Sequence, residues 1–278
     1  MSLGVMALVL CAALLHASWN ALLKTSADRL GAMTLITLGA GLCALPLVLL
    51  SSLPQAASWP YLAGGVALHA GYNLFLVRAY RMGDFGQAYP IARGSSPLLV
   101  SVGAALLVGE QMSGWSWLGV ALISVGILSL AQLSRRMSLA GPLAAFCTGV
   151  FIAGYTVVDG LGARVSGDPL AYAGWLFLLD SPTILLLYLL RHRRLPWPQG
   201  QRVLWTGLGA GVLSLLAYGI VIWAVTRAPL GAVSALRETS VLFAALIGAI
   251  FLGEKLTLRR GLSCLLITGG AMLLGLPR

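Results

Sequence analysis

Residues 93–130 read RGSSPLLVSVGAALLVGEQMSGWSWLGVALISVGILSL, and residues 237–274 read RETSVLFAALIGAIFLGEKLTLRRGLSCLLITGGAMLL. Laid over one another without a gap, 11 of the 38 positions are identical, among them Arg93 with Arg237, Ser96 with Ser240, Gly109 with Gly253, Glu110 with Glu254 and Gly126 with Gly270. Apolar stretches match by chance often, but charged residues at matching depth do not, and these carry the alignment. The register extends backwards across a two-residue gap, pairing Tyr72 with Tyr218 and Arg81 with Arg227. It continues more weakly to Cys11 with Cys147, Trp19 with Tyr155 and Asn20 with Thr156. The chain therefore reads as two copies of one unit, 1–134 and 137–278.

What solvent those units face follows from composition. Of 278 residues, 59% are apolar and 9% are charged, where a soluble domain carries about 25% charged residues. Such a chain cannot cover a core with a charged surface, so it faces lipid. A helix needs about 20 apolar residues to cross a bilayer. Ten runs of that kind fall near 3–23, 31–53, 59–80, 87–108, 115–133, 139–158, 170–190, 203–225, 231–252 and 260–276. They are continuously apolar rather than alternating, which predicts helices and not a barrel. The first run lacks a basic leader and is followed by nine more, so it reads as helix 1 and not a signal peptide.

Each copy holds five crossings. Five is odd, so the copies enter the membrane from opposite faces, and the fold class is all-α integral membrane with ten helices in two inverted five-helix repeats. That architecture places a substrate near the midplane where the repeats meet. Thirty-four glycines allow the close helix approach that membrane packing uses.

Ionisable residues within a crossing mark functional sites by default, because burying them in lipid is costly. Lys24, Arg78, Arg81, Arg227 and Lys255 lie near helix ends and can snorkel to the interface. Arg93 and Arg237 lie deeper and are repeat equivalents. Helical spacing groups Tyr89, Arg93 and Ser96 on one face, and Ser234, Arg237 and Ser240 on another. Two guanidiniums facing one cavity would grip an anionic group. Glu238 follows Arg237 directly, and neighbours on a helix do not face each other, so a pair between them is not expected. Glu238 is instead a candidate for pairing across helices or for carrying a coupling proton, with His16 as a second proton candidate. Trp19, Asn20, Tyr72, Tyr155 and Tyr218 lie beside these groups and are expected to line the same cavity. His69 reads as a hydrogen-bonded helix contact, and Asp159 lies near the end of its run. Asp180, two residues before Pro182, is expected to cap a half-helix where proline breaks the seventh crossing. Trp59, Tyr61, Trp115, Trp117 and Trp205 mark the membrane interface.

With Gly109–Glu110 and Gly253–Glu254 closing the fourth helix of each half, and with residues 16–24 reading HASWNALLK, the chain resembles EamA-type members of the drug/metabolite transporter superfamily. The resemblance covers the whole chain. It implies a secondary transporter, an exporter, of a small polar metabolite such as an amino acid or organic anion, working in a bacterial cytoplasmic (inner) membrane. Paired arginines in the fourth and ninth crossings, and Asp180-Ser181-Pro182 in the seventh, depart from many relatives.

Other classes fit less well. The net charge of +10 would suggest nucleic acid in a soluble protein, but here the positive residues sit mostly at helix ends and meet lipid headgroups. Cys11, Cys43, Cys147 and Cys264 all lie inside apolar runs without metal-ligand spacing, so neither a metal nor a cofactor is expected. No nucleotide loop is present. A membrane enzyme would need a catalytic carboxylate set, and the eight Asp and Glu residues are scattered. A receptor or scaffold has no use for an inverted repeat. The expected partners are a small anionic or zwitterionic substrate, protons and the bilayer.

The odd-numbered loops carry twelve Lys and Arg, whereas the even loops and the C-terminal tail carry three. The positive-inside rule then places the odd loops in the cytoplasm and both termini outside, opposite to the orientation commonly drawn for the family resembled.

Overall fold

A computed structural model of the chain describes residues 1–24, 29–82, 85–131, 139–196, 200–251 and 257–276. Continuous apolar runs give α1 (Leu3–Lys24), α2 (Arg29–Leu50), α3 (Trp59–Met82), α4 (Phe85–Val108) and α5 (Gly114–Leu128) in the first half. The second half holds α6 (Ala140–Val165), α7 (Pro169–His192), α8 (Gln201–Ala224), α9 (Leu230–Arg237), α10 (Ser240–Phe251) and α11 (Leu258–Leu274). Because α9 and α10 are two pieces of one crossing, the helices make the ten crossings expected. Among the described residues, seven segments are long and apolar enough to span a bilayer on that ground alone, including 230–251 taken together. Large side chains such as Leu50, Leu106 and Leu258 stand fully outward, as lipid-facing residues do, while alanines and glycines fill the helix contacts.

The packing follows the repeat. α3 lies on α6 as α8 lies on α1, and α4 lies on α6 as α9 and α10 lie on α1. The α2–α8 contact has its counterpart in α7–α3. The remaining strong contacts between the halves, α2–α7, α4–α9 and α5–α11, join equivalent helices to each other, as helices beside a two-fold axis must. Single residues obey the same exchange. α5 crosses α11 with Gly119 against the Gly270 carbonyl and Gly126 against the Ser263 carbonyl, and the alignment of the two quoted stretches turns one pair into the other. A Cβ at Gly119 would lie 2.7 Å from the Gly270 oxygen, so that approach needs glycine.

Besides α5, which ends at Leu128 rather than near 133, three crossings differ from the sequence expectation in ways that bear on the site. α6 continues to Val165 rather than stopping near 158, which puts Asp159 well inside the helix. α7 runs unbroken through Pro182, so Asp180 caps nothing. Ser181 and Thr183 donate to the Phe177 and Leu179 carbonyls at 2.7 and 3.2 Å, a way in which membrane helices absorb proline. The cap belongs to Asp168, whose Oδ1 accepts from Leu170 N and Ala171 N ahead of α7. The ninth crossing breaks without any proline. Thr239 Oγ1 donates to the Leu236 carbonyl at 2.7 Å, and the amides of Glu238, Thr239, Val241 and Leu242 bond three residues back. This tight 3₁₀ spacing separates α9 from α10.

Gly253, Glu254, Lys255, Arg135 and Arg136 lie outside the described residues, as do the side chains of Lys24 and Arg81.

Candidate functional site

A cavity of about 560 Å³ lies between the halves, walled by both. It runs from the middle of the helices, at Ala12, His69 and Tyr155, to helix ends beside the odd-numbered loops, at Leu30, Val77, Arg191 and Arg260. Of the residues expected to form a site, Arg93, Arg237, Tyr89, Trp19, Asn20, Tyr72, Tyr155, Tyr218 and His16 line it. Ser96, Ser234, Ser240 and Glu238 are buried behind that lining. Ser96 has a local task. Pro97 lacks the amide that would continue the helical ladder, and Ser96 Oγ donates to the Arg93 carbonyl at 3.2 Å.

One pole of the cavity is basic. Arg93 and Arg237 are buried, and Glu238 is completely so. Glu238 Oε2 lies 2.9 Å from Arg93 Nε, and Arg237 Nη2 donates to Glu238 Oε1 at 3.2 Å. The pair between neighbours that sequence spacing argues against does form, because the chain leaves α-helical geometry at Glu238 and the two side chains no longer diverge. Pairing across helices, α9 to α4, forms as well. Arg93 Nη2 lies 3.0 Å from His16 Nε2. A guanidinium can only donate, so this histidine nitrogen is the acceptor and the ring is neutral. His16 meets Trp19 edge-on, with ring centres 5.0 Å apart, and Asn20 Nδ2 donates back to the His16 carbonyl at 2.8 Å. The Arg93 guanidinium sits 6.0 Å from the Tyr89 ring centre.

The bonding here is incomplete. Among the described residues, Arg93 Nε, Arg237 Nε, Glu238 Oε2, Ser234 Oγ and Ser240 Oγ are buried without a well-directed hydrogen bond. Arg93 and Glu238 thus touch as charges, with the N–H aimed elsewhere. Five of the eleven such atoms among the described residues gather in this one place, whereas buried polar groups are ordinarily paired.

The other pole is acidic, and sequence reasoning does not single it out. Asp159 of α6, fully buried, accepts from Tyr218 OH at 2.8 Å, from Tyr172 OH at 3.2 Å and from His69 Nε2 at 3.1 Å. The other ring nitrogen of His69 lies 3.9 Å from Asp180 Oδ2. Asp180 lines the cavity, and its Oδ1 has no partner among the described residues. Gly65 of α3 leaves room for the Asp159 carboxylate, which a Cβ would strike. His69 makes the hydrogen-bonded helix contact expected of it and also lines the cavity, and Asp180 is a wall group rather than a cap. The signal available was spacing: Tyr155 and Asp159 are i, i+4 on one helix face, as are His69 and Asn73. An aromatic wall joins the poles, with Tyr155 4.1 Å from the His69 ring and 5.8 Å from Tyr72 between ring centres. Among the described residues no three His, Cys, Asp or Glu side chains converge as a metal would require.

At the membrane face of the even-numbered loops the halves are tied together. Arg164 Nη2 donates to Glu110 Oε1 at 2.5 Å, and Glu110 Oε2 accepts from Leu230 N at 2.8 Å, capping α9. Arg164 Nε also donates to the Val225 carbonyl at 2.9 Å. Glu110 thus neutralises an arginine and a helix N-terminus together.

Comparison with known proteins bears on the family and the fold. The family profile described as the EamA-like transporter family matches residues 139–276. An uncharacterized protein of Pseudomonas aeruginosa is 31% identical over 268 residues, covering 93% of this chain and 88% of that protein. The uncharacterized transporter YwfM of Bacillus subtilis is 28% identical over 204 residues, covering 72% of this chain and 68% of its own. One solved crystal structure superposes with a TM-score of 0.77 at 22% identity, covering 98% of each chain, which is a likeness of fold.

Proposed function

Because this chain belongs to the EamA-like transporter family, within the drug/metabolite transporter superfamily, we propose that it is a secondary-active exporter of a small polar metabolite, an amino acid or organic anion. Its two units, 1–134 and 137–278, rock about the central cavity, exposing it to one membrane face and then the other. The observation that carries this reading is the placement of Arg93 and Arg237, equivalent residues of the two repeats, on the wall of a cavity shared by both halves. A guanidinium pair there suits an anionic group, and the tyrosine wall suits an apolar or planar remainder. The cavity reaches the odd-loop face while Glu110 and Arg164 bind the halves at the opposite face. By the charge count, that is an inward-facing state of a protein in a bacterial inner membrane, and Glu238 and His16 are the candidates for a coupling proton.

Counterflow in reconstituted vesicles, screened with amino acids, organic carboxylates and phosphonates, tests the reading. Arg93→Ala and Arg237→Ala each lose about 2–5 kcal/mol of substrate binding in a dry site. Arg→Lys retains part of it, since an ammonium reproduces the planar fork poorly. Alanine variants that fold and transport like the parent remove the arginines from the site. Orientation is tested separately. A cysteine in place of Arg194 resists an impermeant thiol reagent in intact cells, and labelling from outside reverses the assignment.

A further inference from the structure

The repeat that duplicates the arginine does not duplicate the carboxylate. Arg93 is followed by Gly94, whereas Arg237 is followed by Glu238. One acid therefore serves two guanidiniums, and it does so from behind: both arginines line the cavity and Glu238 does not. From that side its carboxylate engages both guanidiniums, one oxygen toward each, so an anion arriving from the cavity competes with it for the same N–H donors. The grip is loose, since Glu238 Oε2 and both arginine Nε atoms lack a directed hydrogen bond among the described residues. Glu238 is the residue that closes α9, at the break between α9 and α10. Ser234 and Ser240, on either side of Glu238 in the chain, carry buried hydroxyls with no partner among the described residues.

We propose that the substrate's anionic group is a monoanion that binds by displacing the Glu238 carboxylate from the Arg93–Arg237 fork, a reading that rests on the anion site proposed above. In the empty protein the fork is half-neutralised, two positive charges against one negative. A single incoming negative charge balances it while Glu238, displaced, keeps its charge and turns to the waiting hydroxyls. A dianion overshoots, leaving excess negative charge in a buried site. Glu238 is thus an internal competitor: it half-neutralises the arginines between transport events and sets the charge of the ligand that can replace it. A strut that merely orients the arginines would act in the opposite sense, because its removal would weaken anion binding.

The test measures equilibrium binding of 3-phenylpropionate, a monoanion whose ring suits the tyrosine wall, to the purified full chain in lipid nanodiscs at pH 8. If Glu238 leaves the fork free about a tenth of the time, Glu238→Gln binds the probe about tenfold more tightly than the parent. Adding Arg93→Ala to that variant abolishes the gain. Phenyl phosphate, a dianion at this pH, binds the parent more weakly than 3-phenylpropionate. Equal or weaker binding by Glu238→Gln, a gain that survives Arg93→Ala, or a preference for phenyl phosphate each overturns the proposal. Should Glu238→Gln not fold, Glu238→Asp, too short to bridge both guanidiniums, takes its place: tighter binding is again expected, and equal or weaker binding again overturns the proposal. The single variant Arg93→Ala separates the two levels. If it binds the probe as the parent does, the anion site itself fails; if it loses binding while Glu238→Gln does not tighten, only the displacement fails.

Discussion

At the arginine pole of the cavity one carboxylate, Glu238, touches two guanidiniums, whereas at the aspartate pole one carboxylate, Asp159, takes three donors and its neighbour Asp180 keeps an oxygen without a partner among the described residues. The poles thus distribute buried charge differently. The first shares too little negative charge among too many donors, and the second crowds its donors onto one acid. In lipid, an unsatisfied polar group costs several kcal/mol, so atoms left unsatisfied at the cavity wall fit the proposal that a ligand or proton is accommodated there. Asp159 then reads as the fixed anchor of its pole, with Asp180 and the arginine fork as the parts free to exchange partners.

Substitutions at the aspartate pole can break that distinction. Asp159→Asn carries the largest effect on stability, about 3–5 kcal/mol, because it removes a buried charge from three oriented donors. A fall in detergent melting temperature alongside lost expression checks it. Gly65→Ala comes next, at about 1–3 kcal/mol, since the added methyl must push the Asp159 carboxylate off its donors. It should resemble a mild Asp159→Asn in the same melting assay. Asp180→Asn is smallest, within about 1 kcal/mol of the parent and toward greater stability, because an acid that has only a distant histidine beside it is replaced by a neutral amide. A melting temperature that drops as far for Asp180→Asn as for Asp159→Asn would make the two aspartates equal anchors and end the comparison. Counterflow measured on the same samples sharpens it: Asp180→Asn should alter transport without altering folding.

The arginine pole is legible in advance because it is written twice. Arg93 and Arg237 occupy one column of the repeat alignment, and a charge preserved at the same depth in two apolar runs stands out. The aspartate pole is written once. By the same alignment, His69 and Asp159 fall opposite Leu215 and Leu23, so no duplication draws the eye to them. Asp159 is hidden further by the position of a helix end, since α6 runs seven residues past the expected 158. Asp180 escapes for a different reason. Proline breaks a soluble helix, but in the seventh crossing hydroxyls one residue either side of Pro182 cover nearby carbonyls, and the helix continues.

The sequence by itself determined that the chain crosses a membrane about ten times, that its halves are copies, and which residues are too costly to bury without purpose. All three follow from composition and from spacing along one helix, where the 3.6-residue period and the bilayer thickness set the rules. Only the tertiary structure decided which charges meet. Arg93 finds Glu238 from 145 positions away, and His69 finds Asp159 from 90. Those pairings depend on how α3, α4, α6 and α9 are rotated against one another, and rotation is fixed by glycine contacts and by the 3₁₀ break at Glu238. Neither has a one-dimensional period from which it could be read, because each is set by the shape of the helix on the other side.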